Sequence, residues 1–323
     1  MCLNVFNFKN YASFVPFLLL LAAFAAFVGI ALATDQSQYL TFDSLLGLLG
    51  RCIALGITAV GQTFVILIAS IDLSVANLIS VSAVVASFVM SGEPAMIGPA
   101  VVVVLLIGVL VGTANGFIIT QLEVNPLIAT LGMALLLQGA LSALFTNFAG
   151  EVPNEFQVFA YGEVGGISIS LLFLIVLTIL AWVFLRFTKA GSNIYSVGDN
   201  ADAARLAGLS TTHIIIMAHI LCSVCATIAG LYLASRLGSG APWIGRDGVY
   251  DIESIAVVVI GGTALSGGRG GVWGTLMGVM IFSLIDSIFN VAGIDAFAKQ
   301  ILRGVIIVAA VAVHATRSRR IEA

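Results

Sequence analysis

Polar residues that could bind or carry a solute lie inside long apolar stretches of this chain. Six of them are candidates to line a translocation path: Gln62, Asp72, Ser74, Asn77, Asn115 and Asn125. Ionisable side chains within membrane segments commonly mark ion or substrate routes. Polar side chains between membrane helices also hold the helices together by hydrogen bonds. Both interpretations are open for each of these residues.

Asp72 illustrates the choice most clearly. It can cap a helix that begins at Leu73, with support from Ser74, because Asp and Ser accept hydrogen bonds from free N–H groups at a helix start. Alternatively, its carboxyl group faces a permeation path. Both roles are compatible if the capped helix end lies beside the path.

No set of residues with the spacing of a catalytic or metal site is visible. His213, His219 and His314 lack the H-E-x-x-H arrangement, and we interpret His213 and His219 as satisfied histidines at a helix end. The glycine-rich stretch 261–274 has neither a Gly-Lys-Ser/Thr ending nor G-x-G-x-x-G spacing. We predict a tight turn with close helix approach there, with Arg269 in the turn. The sequence thus predicts a protein that is not an enzyme and binds no metal or cofactor.

Composition defines the class of protein that positions these residues. Hydrophobic residues make up 60% of the 323 residues, and charged residues 9%. Soluble domains carry about 25% charged residues, so this chain is an integral membrane protein. The net charge of −3 gives no indication of a nucleic-acid partner. The four cysteines lie in or beside apolar segments, so neither a disulfide framework nor a zinc site is expected.

Apolar stretches predict about ten membrane helices in one all-α polytopic bundle, a single domain over residues 1–323. The predicted spans are 13–34, 45–69, 73–91, 95–119, 127–147, 168–187, 213–235, 252–266, 272–292 and 297–315. An even number of spans places both termini on one side. Lys9, Arg317, Arg319 and Arg320 predict that this side is cytoplasmic by the positive-inside rule.

Three segments combine glycine and polar residues at membrane depth. They cover residues 61–77, residues 112–116 followed by 124–132, and residues 260–274. Irregular backbone persists at such depth only where it is buried in protein or lines a wet cavity. We therefore predict interrupted helices at these places, as found near transport routes.

A polar segment at about 188–212 is predicted to be a cytoplasmic loop. Asn200 can cap a short helix over residues 201–207, and Gly208 can end it. A helix this short is marginal alone in water. We expect it to pack against another protein.

Several separated motifs resemble the membrane permease subunits of ribose-type sugar ABC importers, which share a superfamily with branched-chain amino-acid permeases. The resemblance covers about residues 40–313. It is carried by Ile71-Asp-Leu-Ser74, Pro126-Leu-Ile-Ala-Thr-Leu131, Ile194-Tyr-Ser-Val-Gly-Asp-Asn200 with Ala203-Ala-Arg-Leu-Ala-Gly208, and the stretch from Ile255 to Gly270. Ser70, Ala76 and the pair Arg246–Asp247 depart from the family pattern. These departures do not alter the expected fold, and they leave the sugar unspecified.

The resemblance implies a sugar importer subunit in the bacterial inner membrane. Its expected partners are a cytoplasmic ATPase subunit that binds ATP, an extracytoplasmic solute-binding protein and a second permease subunit, either a copy of this chain or a paralogue. The residues implied to couple the permease to the ATPase are Asn200, Ala203, Ala204, Arg205, Leu206 and Gly208.

Two alternatives stay open. One is an ABC permease for another small solute, such as a nucleoside, an amino acid or a furanone signal. The other is a secondary transporter driven by an ion gradient, which needs acids within the membrane. Only Asp72 and Asp286 qualify, and neither has an obvious partner in the sequence.

Overall fold

The computed structural model describes residues 11–295, 297–306 and 308–309, and these residues form a helical bundle. The helices are α1 (Tyr11–Ala33), α2 (Phe42–Arg51), α3 (Ile53–Leu67), α4 (Val75–Met90), α5 (Ile97–Gln121), α6 (Pro126–Leu144), α7 (Asn154–Tyr161), α8 (Ile169–Phe187), α9 (Lys189–Asp199), α10 (Ala201–Leu206), α11 (Thr211–Leu237), α12 (Ile244–Asp247), α13 (Tyr250–Ile260) and α14 (Val272–Val291). Two short strands, β1 (Glu163–Val164) and β2 (Ile167–Ser168), pair antiparallel with Glu163 opposite Ser168. The predicted all-α class is confirmed.

Six helical segments in the described part of the chain are long and apolar enough to cross a membrane. They are residues 15–33 of α1, α5 with its preceding turn, α6, α8, α11 and α14. Helices α2 and α3 meet the same criteria together but are bent by 47° at the break between them, as in a broken span or a re-entrant loop. Helix α4 has 16 residues, about 24 Å at 1.5 Å per residue, and therefore falls short of the hydrocarbon thickness. The predicted span 252–266 is wrong in extent, because α13 ends at Ile260 where the glycines begin. The predicted span 297–315 lies partly outside the described residues.

Helix α11 lies at the centre of the bundle and packs against α3, α4 and α5. Glycines at positions 108, 112 and 116 line the face of α5 that meets α11. A Cβ atom on Gly112 would lie 2.6 Å from the Cα of Ile220. Small residues spaced four apart let membrane helices approach closely. The predicted interruption at 112–116 is therefore wrong, because α5 runs unbroken through these glycines.

The predicted break between α3 and α4 is confirmed. Residues 68–74 leave the helical path, and Ala69 has a φ of +58°. The Oγ1 of Thr130, on α6, accepts a hydrogen bond from the N–H of Leu73 at 3.2 Å. The hydroxyl of Thr130 lies 3.2 Å from the carbonyl oxygen of Ile71. A side chain from a neighbouring helix thus contacts backbone groups that the break leaves without helical partners.

A second irregular stretch, residues 238–248, folds back along α4 after α11 ends, and we name it the returning segment. The N–H of Gly245 donates to the Oγ of Ser80 at 2.9 Å. A Cβ atom on Gly245 would lie 1.8 Å from the carbonyl oxygen of Ala76, so only glycine fits there. The returning segment includes α12 and leads into α13. Polar residues of the returning segment thereby lie alongside the apolar helix α4.

The segment predicted as a loop over 188–212 is mostly helical. Residues 189–199 form α9, which Thr188 caps by accepting a hydrogen bond from the N–H of Gly191 at 3.0 Å. One face of α9 is buried against the end of α3: a Cβ atom on Gly198 would lie 1.7 Å from the carbonyl oxygen of Leu67. The loop prediction failed because α9 is polar overall and its few apolar residues are buried by packing.

The glycine-rich stretch joins α9 to the break, and its predicted tight turn is confirmed. Gly268 donates its N–H to the carbonyl oxygen of Leu67 at 3.0 Å. The hydroxyl of Tyr195 donates to the carbonyl oxygen of Gly270 at 3.0 Å. Close approach of α13 and α14 is also present, since a Cβ atom on Gly261 would lie 2.3 Å from the carbonyl oxygen of Gly274. Helix α9, this loop and the end of α3 form one closely packed joint.

Candidate functional site

Asp72 lies at the centre of a fully buried polar cluster at the start of α4. Its Oδ1 accepts hydrogen bonds from the N–H and the hydroxyl of Ser74, at 2.8 and 2.5 Å. The Nδ2 of Asn115 lies 3.4 Å from Asp72 Oδ2 and 3.0 Å from Ser74 Oγ. Helix α4 begins at Val75 rather than at Leu73. The N-cap residue of α4 is Ser74, and no side chain caps the helix, so Asp72 is not its cap. Asp72 instead stabilises the turn before α4 by binding Ser74.

His219 lies next to this cluster. The prediction that it lies at a helix end is wrong. It lies inside α11 and is fully buried, with Nδ1 2.9 Å from the carbonyl oxygen of Ile215 and Nε2 3.3 Å from Ser70 Oγ. His213 does lie at the helix end, where it contacts Ser210. A signal for His219 was available, because Cys222 and Ala226 follow on the same helical face and are buried too.

Gln62 faces α11 rather than an open path. It is fully buried, and its Oε1 accepts a hydrogen bond from the Sγ of Cys222 at 3.3 Å. The Nε2 of Gln62 and the Oδ1 of Asn115 have no hydrogen-bond partner within the described residues. Four of the six path candidates, Gln62, Asp72, Ser74 and Asn115, are thus buried between helices in this conformation.

The other two candidates differ from these four and from each other. Asn125 is exposed, and its Oδ1 accepts from the N–H of Leu127 at 2.9 Å, which makes it the cap of α6. Asn77 is half-buried, and its Nδ2 donates to the carbonyl oxygen of Ala134 at 3.0 Å. Asn77 also lines a cavity.

That cavity, which we name the α4–α6 cavity, lies between α4, the end of α6 and the returning segment. Its volume is about 210 Å³. The polar or aromatic side chains that line it are Asn77, Gln138, Ser142, Phe145, Thr146, Trp243 and Arg246. An adjoining cavity of about 530 Å³ shares Trp243 and includes Arg236 and Asp247. Sequence reasoning missed both, because they depend on the path of the returning segment.

Trp243 lines both cavities. Its ring packs edge-on against Phe148, with ring centroids 5.2 Å apart. Arg246 is exposed, and its Nε lies 3.4 Å from an oxygen of Asp247. The rest of its guanidinium group has no partner within the described residues. Arg246 and Asp247 are the pair that departs from the pattern of the resembled family.

A second charged group ties the helical residues 297–306 to α13 and α14. Arg303 binds Glu253 through Nη1 at 2.9 Å and Asp286 through Nη2. The expectation that Asp286 has no partner is therefore wrong. Two carboxyl groups that share one guanidinium group form a structural contact between helices.

The predicted coupling residues form a short surface helix on the joint. Asn200 caps α10, with Oδ1 accepting from the N–H of Ala203 at 2.9 Å, and Gly208 has a φ of +86°. The predicted cap and stop are confirmed, although α10 ends at Leu206. Ala204 is buried against the chain itself, whereas Leu206 is 88% exposed. Ala203 and Arg205 are also exposed, so the free face of α10 presents an isolated leucine with a charged rim.

Comparisons with known proteins give one consistent result. Residues 44–311 match the family model described as branched-chain amino acid transport system / permease component. The chain is 33% identical over 296 residues to the ribose import permease protein RbsC of Escherichia coli (strain K12), covering 90% of this chain and 91% of that protein. No solved structure matches.

Two further relatives span a similar share of the chain. The probable ABC transporter permease protein YphD of Escherichia coli (strain K12) is 34% identical, covering 91% of this chain and 88% of that protein. The galactose/methyl galactoside import permease protein MglC of Salmonella typhimurium is 32% identical, covering 90% of this chain and 93% of that protein.

Proposed function

Because the chain belongs to the family of branched-chain amino-acid-type permease components, we propose that it is the membrane subunit of an ABC importer for a sugar. The observation that carries this proposal is the match along nine tenths of the chain to permeases named for ribose and galactose import. The family match over residues 44–311 includes the break between α3 and α4, the joint and α10. The protein is a multi-pass protein of the bacterial inner membrane.

The proposed orientation places the joint and α10 in the cytoplasm, with both termini on that side. Arg186, Lys189, Arg205 and Arg269 all lie near this end of the bundle. Acidic residues mark the opposite end: Glu93, Glu151, Glu155 and Glu163. An excess of basic residues on one side is typical of the cytoplasmic face.

ATP is proposed to bind a separate ATPase subunit that docks on α10, so this chain binds no cofactor and hydrolyses nothing itself. An extracytoplasmic solute-binding protein and a second permease subunit, a copy or a paralogue, complete the importer. The exposed Leu206 supports the docking step, since an apolar side chain surrounded by charge suits a groove on a partner.

The contacts of the joint supply a route from ATP hydrolysis to the membrane interior. A movement of α10 acts on α9, and α9 touches the end of α3 through Gly198. The break at 68–74 follows directly. Packed helices with two alternative arrangements convert such local shifts into opening on one side or the other. The solute then crosses without chemical change.

One alternative keeps a specific observation in its favour. The matching family model is described by branched-chain amino acids, so an amino-acid cargo is the second candidate. The hydroxyls, amides and tryptophan of the α4–α6 cavity favour a polyhydroxylated cargo instead. An ion-coupled carrier has less support, because Asp286 is paired with Arg303.

Reconstitution with a substitution at Leu206 tests the proposal. We expect Leu206→Ser to weaken ATPase docking by about ten- to a hundredfold, the effect of exposing one buried leucine. Sugar uptake and solute-stimulated ATP hydrolysis should both fall. Leu144, which is 76% exposed at the end of α6, provides the control, and Leu144→Ser should leave both unchanged.

Two outcomes would contradict the proposal. Uptake into proteoliposomes at full rate without any ATPase subunit would exclude an ABC importer. Unchanged uptake and ATP hydrolysis in Leu206→Ser would mean that the ATPase does not dock on α10. The protein could still be an ABC importer subunit.

A further inference from the structure

The α4–α6 cavity contains polar groups that the protein itself leaves without partners. The side chains of Gln138, Ser142 and Thr146 form no hydrogen bond within the described residues. Arg246 uses only its Nε, toward Asp247. Gln138 lies within the membrane-spanning part of α6. Polar groups at such depth need water or a polar ligand, because lipid offers no hydrogen bonds.

An aromatic ring lies against these groups. Trp243 is half-buried in the returning segment and lines the same cavity as the amides and hydroxyls. Its contact with Phe148 holds the ring in place from the side. A rigid aromatic surface beside convergent hydrogen-bonding groups suits a ligand with one apolar face and many hydroxyls.

The backbone around Trp243 is fixed by contacts that only glycine permits. Gly245 lies against the carbonyl oxygen of Ala76, one residue before Asn77 on α4. The hydrogen bond from Gly245 to Ser80 anchors the same turn. The returning segment and α4 therefore form one preorganised wall. Preorganisation reduces the free-energy cost of holding a ligand.

We infer that the α4–α6 cavity is the sugar-contact site of the transport path, with Trp243 packing on the apolar face of a monosaccharide and Arg246, Gln138 and Asn77 binding its hydroxyls. This inference rests on the proposed sugar import function and names the site within it. Arg246 and Asp247 compensate each other's charge, which suits a neutral solute better than an ionic one. The buried polar cluster around Asp72 then supports α4 beside the site and does not touch the solute.

Transport assays with the complete importer test the site. Trp243→Leu should lower the rate of sugar uptake by a few-fold to about tenfold, from the loss of an aromatic contact. Arg246→Gln should lower it by about tenfold or more, since hydrogen bonds from charged groups contribute most. Trp273, which is 43% exposed on α14 and lines neither cavity described here, provides the control, and Trp273→Leu should retain uptake.

Fluorescence gives a readout that does not depend on transport. In a protein with Trp182→Phe and Trp273→Phe, Trp243 is the remaining tryptophan of the three. Ribose and galactose are the probes, added to the reconstituted importer. A saturable change in Trp243 emission with the transported sugar supports the site. Quenching by brominated lipid chains with no response to either sugar means that lipid occupies the cavity, and it overturns the inference.

Different results would contradict the proposed function and the proposed sugar site. Absence of nucleotide-dependent uptake of any pentose or hexose by the unmodified importer overturns the proposed function. Normal nucleotide-dependent uptake together with equal uptake by Trp243→Leu and Trp273→Leu overturns the site alone.

Discussion

Helix α4 connects two polar regions that have opposite surroundings. At its start, Asp72, Ser74 and Asn115 bind one another and are fully buried. One turn further, Asn77 borders the α4–α6 cavity with Trp243. Both regions place polar groups at membrane depth, yet the first holds helices together and the second leaves its groups available. Residue type therefore does not separate a structural contact from a binding contact; the face of the helix does.

The largest effect is expected in the buried cluster. Asp72→Val removes the acceptor for the N–H and hydroxyl of Ser74. We expect a loss in the free energy of unfolding of about 3 kcal/mol or more, because each unpaired buried polar group costs about 1–3 kcal/mol. Thermal denaturation in detergent measures it.

Two further variants make the measurement at Asp72 specific. Asp72→Asn keeps an acceptor oxygen and should lose less stability than Asp72→Val. Ser142→Val, in the cavity, should change stability by less than about 0.5 kcal/mol, as for other exposed positions. Equal losses in Asp72→Val and Ser142→Val would remove the distinction between the two regions.

A smaller loss is expected where α5 meets α11 beside the cluster. A Cβ atom on Gly112 would lie 2.7 Å from the carbonyl oxygen of His219. Gly112→Val should destabilise the protein by about 1–3 kcal/mol, the usual effect of overpacking. Gly132→Val is the matched control, since nothing lies within 4 Å of a Cβ atom there. Equal denaturation temperatures for these two variants would mean that α5 and α11 do not pack this closely.

The helical membrane architecture and several local features could be predicted from the sequence. Composition and apolar stretches predicted the helical membrane bundle, and Asn200 with Gly208 predicted α10 to within one residue. The break after α3 was also predictable, because Ala69-Ser-Ile-Asp72 interrupts an apolar run with polar groups. These features depend on local chemistry, which a single sequence displays directly.

Features that depend on distant contacts could not be predicted. The glycines of α5 suggested an interruption, whereas they serve close packing with α11. Arg303 and Asp286 are 17 residues apart in the sequence, on different helices. Residues 238–248 show no apolar pattern that predicts their position. Their return along α4, which forms the cavity at Trp243, depends on contacts between residues far apart in the sequence. Whether a polar residue lines a cavity also depends on distant contacts: of the six candidate path residues, five line neither the α4–α6 cavity nor the adjoining one.

Thiol labelling of the reconstituted importer compares the two regions most directly. Cysteine is introduced at Ser142 in the α4–α6 cavity or at Ser74 in the buried cluster, in a background without the native cysteines. We predict rapid reaction of the thiol at position 142 with a small hydrophilic maleimide, slowed by the transported sugar, and no reaction at position 74. A reactive, sugar-protected thiol at position 74 with an inert or unprotected one at position 142 would place the solute in the buried cluster and contradict this assignment.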